Sequence, residues 1–110
     1  MRLRNVKNKE EIMNNSSYLI RDYEGLKGNW KSLFKNDNPI YIEIGMGKGK
    51  FIIDNAKMYP NINFIGIEKF DSVIVKALQK IPEGLDNLIM LRADALGIDE
   101  IFDHEIDRIY

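Results

Sequence analysis

The chain has 110 residues, 45% of them hydrophobic and 30% charged, which fits one small soluble domain and excludes a disordered tail. It contains no cysteine, so disulfides and thiolate metal sites are excluded, and no apolar run is long enough to cross a bilayer. The net charge of −1 is unevenly spread: residues 1–35 hold eight Lys or Arg against four acids, residues 36–110 eight against thirteen.

A basic leader before an acidic body is expected of an arm that touches a polyanion, although a solvated terminus has the same composition. Met1 to Lys9 is basic but no hydrophobic segment follows it, so no secretory signal is expected and the cytoplasm is the default location. Residues 1–28 show no sustained period and predict an irregular arm with at most a short helical piece. "NWKSLF" (29–34) predicts a short helix capped by Asn29, with Trp30 as a packing residue rather than a base-stacking platform. "NDNP" (36–39) is a turn that opens the main domain, so the chain divides into a basic arm over 1–35 and a body over 36–110.

From residue 40 the pattern becomes regular. "IYIEI" (40–44) predicts a strand, "KFIIDNAKMY" (50–59) an amphipathic helix closed by Pro60, and "NFIGI" (63–67) a second strand. "DSVIVKALQKI" (71–81) predicts a helix capped by Asp71 or Ser72, "NLIMLRA" (87–93) a third strand and "IDEIF" (98–102) a short helix. "DRIY" (107–110) reads as the start of a fourth strand. Alternating strands and helices with nearly continuous apolar strands predict an α/β fold, a parallel sheet with flanking helices. A sheet whose fourth strand begins in the last four residues is incomplete, and the leading explanation is a fragment of a longer α/β domain.

Three acids occupy equivalent places: Glu43 near the end of the first strand, Glu68 after the second and Asp94 after the third. In an open parallel sheet the carboxyl ends of the strands line the ligand crevice, so the three are expected to converge. The loop Gly45-Met46-Gly47-Lys48-Gly49 lets the backbone turn sharply and lets a ligand approach closely. A dinucleotide fingerprint counted from Gly45 needs glycine at position 50, which is Lys50; a P-loop needs Ser or Thr at position 51, which is Phe51. An acid two residues before Gly-x-Gly-x-Gly instead resembles the pattern of S-adenosylmethionine-dependent methyltransferases with the Rossmann-like fold. On that pattern Glu68 accepts from the ribose hydroxyls, Asp94 from the adenine amine, and Glu43 complements the cationic methionyl end, while Gly45 and Gly47 let the backbone close in.

The remaining features are bland. Met46 either lines the cleft or fills the core, and Lys48 and Lys50 read as solvated loop lysines. His104, the single histidine, has no partner pattern for a metal or a triad, and the acids from Asp99 to Asp107 lack metal-ligand spacing, so no metal is expected.

"MRLRN", "KGNW", "NDNPIYIEIGMGKGKFI", "NFIGIEKFDSVIVKALQKI" and "LRADA" together resemble the bacterial tRNA (guanine-N7)-methyltransferases over most of the chain. The resemblance implies methyl transfer from S-adenosylmethionine to N7 of a variable-loop guanosine in tRNA, with Glu43, Glu68 and Asp94 binding the cofactor. It also implies that the catalytic aspartate sits in a Ser-Asp-Pro-Trp-Pro segment after the fourth strand, beyond Tyr110, so this chain is expected to be inactive alone. Arg2, Arg4, Lys7 and Lys9 are candidates for phosphate contacts. Two other readings stay open: a methyltransferase of the same fold with another substrate, and a non-catalytic module that binds S-adenosylmethionine or RNA.

Overall fold

The computed structural model describes residues 2–110, with side chains from Asn8 onward. Five strands form one sheet: β1 (Leu19–Ile20), β2 (Ile40–Ile44), β3 (Asn63–Glu68), β4 (Leu88–Arg92) and β5 (Arg108–Ile109). Their order across the sheet is β1-β4-β3-β2-β5 and every pairing is parallel, as expected for an α/β protein. β3 lies at the centre, and all six of its residues are buried, which is why "NFIGIE" carries no polar alternation.

Helices cover both faces. Against one lie α1 (Arg2–Asn15), α3 (Lys50–Met58) and α4 (Asp71–Leu78), with Ile52, Phe64, Ile74 and Met90 among the buried residues between them. On the other face, α2 (Lys31–Phe34) and α5 (Ile98–Ile101) enclose Trp30, Ile42, Ile65, Leu91 and Phe102. Trp30 is fully buried, its indole N–H donates to the Ile101 carbonyl at 2.8 Å, and its ring lies 5.1 Å from that of Phe102, so it is a packing residue. Buried Asn87 is satisfied by carbonyls of the α3–β3 connection: its side-chain amide donates to Ala56, Tyr59 and Ile62 at 3.0, 3.0 and 2.9 Å.

Residues 2–28 depart from expectation. A 14-residue helix replaces the irregular arm, and Leu19–Ile20 add a strand alongside Met90 and Leu91 of β4. Among the described side chains of α1, only Ile12 and Met13 enter the core, packed against the α4 side. The segment Arg2–Asn15 carries only Leu3, Val6, Ile12 and Met13 as apolar residues, too few to show a sustained helical period. The side chains of Arg2, Arg4 and Lys7 lie outside the described residues.

Two caps also differ. Trp30, not Asn29, precedes α2; the Asn29 carbonyl accepts from the Ser32 N–H at 3.1 Å. Phe70 precedes α4, and Asp71 instead accepts from the Arg92 guanidinium at 2.9 Å, tying the end of β4 to the start of α4.

Candidate functional site

The β2–α3 loop is anchored on the end of β3. The Gly45 and Met46 amides both donate to the Ile67 carbonyl, at 2.9 and 3.0 Å. Gly45, Gly47 and Gly49 all adopt positive φ, which explains why the loop alternates glycine with larger residues. At Gly45 and Gly47 a Cβ would meet nothing within 4 Å, so these two leave open backbone beside the crevice. Gly49 serves packing: a Cβ there would lie 3.0 Å from Ala77 Cβ and 3.2 Å from Ile53 Cδ1.

Met46 is core filler. It is 5% exposed, and its sulfur occupies the space that a side chain at Gly66 would need, so the glycine in the middle of β3 is what lets the loop fold down. Lys50 pairs with Asp54 at 3.2 Å on the surface of α3, and Lys48 is exposed. His104 is exposed, and among the described residues no group of three His, Cys, Asp or Glu could hold a metal ion. No helix among them is long and apolar enough to cross a membrane.

A cavity of about 320 Å³ opens at the carboxyl ends of β2, β3 and β4, lined by Gly45, Ile67, Glu68, Phe70, Ala93 and Asp94 among others. Its volume is within the range of small-molecule sites, and its place is the crevice where open α/β sheets bind ligands. Clefts of about 440 and 470 Å³ involve Asp107, just before β5, and Leu88, at the start of β4. They therefore lie toward the opposite ends of the strands.

The three acids are placed differently. Glu68 is 8% exposed, and each carboxylate oxygen takes one backbone donor: Gly47 N–H to Oε1 at 3.1 Å, and Phe70 N–H to Oε2 at 3.2 Å. Asp94 is exposed and accepts from the Leu96 N–H at 3.0 Å, which starts the 3₁₀ turn Ala95–Gly97. Glu68 and Asp94 thus share one cavity, while Glu43 lies a step back in β2, directly opposite Gly66, and is not part of the cavity wall.

Glu43 is the anomalous group. Its Oε1 is buried without a hydrogen-bond partner, and burial pushes its carboxyl from 4.5 up to about 6. A buried acceptor left unpaired costs stability, which sets Glu43 apart from the well-bonded Glu68.

Sequence reasoning missed Lys69 and Phe70. Both line the cavity, Phe70 is 56% exposed, and Lys69 Nζ lies 5.1 Å from the centre of the Phe70 ring. The rule that located Glu68 would have found them, because residues just past a strand end share its carboxyl-terminal edge.

A family model described as "Putative methyltransferase" matches residues 37–110. The chain is 51% identical over its whole length to a tRNA (guanine-N(7)-)-methyltransferase of Lachnoclostridium phytofermentans, covering 52% of that protein. It is 52% identical over 92% of its length to the protein of the same name from Oceanobacillus iheyensis, covering 48% of it. For the Geobacillus thermodenitrificans protein of that name the identity is 50% over the whole chain, covering 52%. The chain therefore spans about half the length of the curated relatives it matches.

Proposed function

The chain belongs to this methyltransferase family, and we propose that residues 36–110 are the N-terminal half of a domain that binds S-adenosylmethionine in a tRNA (guanine-N7)-methyltransferase. Residues 1–35 are a basic segment that precedes that half and adds the edge strand Leu19–Ile20 to its sheet, and the whole protein works in the cytoplasm, where its tRNA substrate is found.

The observation that carries this reading is the acid-bordered cavity at the carboxyl edge of the sheet, with an unpartnered carboxylate oxygen behind it. The residues fit the cofactor by donor and acceptor type. Glu68 retains an unused lone pair on each oxygen after its two amide bonds, which suits the two hydroxyls of a ribose. Asp94, bonded once through Oδ1, has acceptor capacity left for an exocyclic amine. Glu43 would gain from a nearby ammonium or sulfonium, directly or through water, what the chain itself withholds. Gly45 and Gly47 leave the loop backbone open to close approach.

When bound, the cofactor supplies an electrophilic methyl group. Guanine N7 presents a lone pair and no proton at neutral pH, so the protein's task is alignment and tolerance of positive charge on the base. The test uses the whole protein, incubated with S-adenosylmethionine and unmodified tRNA, followed by mass analysis of the nucleosides. Appearance of 7-methylguanosine is expected. Methylation of a different acceptor, or of none, by folded protein would overturn the substrate assignment.

A further inference from the structure

We propose that Glu68 is a positioning residue for the glycine loop as well as a cofactor ligand, so that one carboxylate couples loop order to cofactor occupancy. The coupling half of this proposal rests on the methyltransferase reading above; the bracing half does not.

The carboxylate joins the β2–α3 loop to the turn that follows β3. Its Oε1 accepts from Gly47, at the middle of the β2–α3 loop, and its Oε2 accepts from Phe70, at the turn into α4. The loop has particular need of such a brace. Three of its five residues are glycines at positive φ, and glycine loses more conformational freedom on ordering than any other residue. The bonds from Gly45 and Met46 to Ile67 fix the first half of the loop, and the Gly49 N–H closes a local turn on the Met46 carbonyl at 3.1 Å. Gly47 stands between them, and the Glu68 side chain is the acceptor that its amide finds.

Burial strengthens the case. A strand-end carboxylate serving only a ligand could sit in water until that ligand arrived, whereas Glu68 is 8% exposed with both oxygens already engaged. In low-dielectric surroundings, hydrogen bonds to a charged acceptor are among the stronger ones. The brace therefore holds the Gly47 and Phe70 backbones in place before any ligand enters. A ribose taking up the remaining lone pairs would immobilise the carboxylate further and tighten both amide bonds.

Site-resolved amide hydrogen exchange on the full chain tests this, with the Phe64 and Met90 amides, bonded to the Asn87 and Tyr18 carbonyls, as internal references. In the ligand-free wild type, Gly47 and Phe70 are expected to be protected. Glu68→Ala is expected to speed exchange at both by about tenfold or more while the references hold. Glu68→Gln keeps the shape but has only one carbonyl oxygen, so one of the two amides is expected to stay protected. If Glu68→Ala loses protection at the references as well, Glu68→Gln decides. Unchanged exchange at both amides in Glu68→Gln overturns the brace.

Saturating S-adenosylhomocysteine is then expected to slow exchange at Gly47 and Phe70 in the wild type by a further factor of about ten. If it binds without slowing them, the coupling is wrong. If it does not bind at all, the cofactor reading and the coupling fall together, while the ligand-free result still decides the brace.

Discussion

Replacing Trp30 with alanine is expected to destabilise the fold by about 3–5 kcal/mol, a large share of the 5–15 kcal/mol that holds a typical domain together. The indole is fully buried, packs at 5.1 Å and a tilt of 43° against Phe102 and donates to the Ile101 carbonyl. Alanine removes the packed volume and strands the carbonyl, so a cavity and an unsatisfied acceptor arise together. Position 30 also joins distant parts of the chain. The Trp30 and Gly28 amides both donate to Glu105, at 3.1 and 2.6 Å, fastening the segment before α2 to the segment after α5. Urea unfolding followed by circular dichroism is the appropriate measurement, since the substitution removes the only tryptophan. The midpoint is expected to fall with little change in slope. Trp30→Phe should cost clearly less, because it keeps most of the packing and loses the hydrogen bond.

Glu43→Gln is expected to do two opposite things: stabilise the ligand-free chain above pH 6, and weaken S-adenosylmethionine binding by at least about tenfold. The sign follows from burial. The Glu43 carboxyl is pushed up to about 6 from an unfolded value of 4.5, so between those values the native state binds more protons than the unfolded one. The stability Glu43 contributes is therefore greatest below pH 4.5 and declines as pH rises through 6, where the buried charge must be carried. Discounted for partial exposure, that penalty is about 1 kcal/mol at pH 7. Glutamine carries no charge, so its unfolding free energy should lack this decline between pH 4.5 and 6. Thermal or urea unfolding across that window, with a binding titration at pH 7.5, checks both halves. A variant less stable than wild type at pH 7.5 would contradict the burial argument.

On the proposed reading, a trade of stability for binding makes the site partly legible: a carboxylate inside "YIEIG" conflicts with its strand, and the conflict marks where a ligand would compensate. The strands and helices from Ile40 to Ile101 were readable because buried strands are nearly continuous in apolar residues and α3 and α4 are punctuated by Pro60 and by Pro82 and Gly84. The N-terminal helix was not, because its two described core anchors, Ile12 and Met13, make no pattern by themselves. Met46 was ambiguous for a similar reason. Its fate depends on Gly66, twenty residues away, which leaves its sulfur room to bury. The same is true of Glu68: strand-end spacing located the acid, but nothing local indicates that the Gly47 and Phe70 amides would reach back to it.

The central proposal is that this chain holds S-adenosylmethionine through Glu43, Glu68 and Asp94. Isothermal titration of the folded chain with S-adenosylhomocysteine, and separately with NAD, tests it most directly. The account predicts saturable binding of S-adenosylhomocysteine with Kd on the order of 10 µM or tighter, and no saturable heat with NAD. Binding of NAD in preference to S-adenosylhomocysteine, or no binding of either by chain shown to be folded, would contradict it.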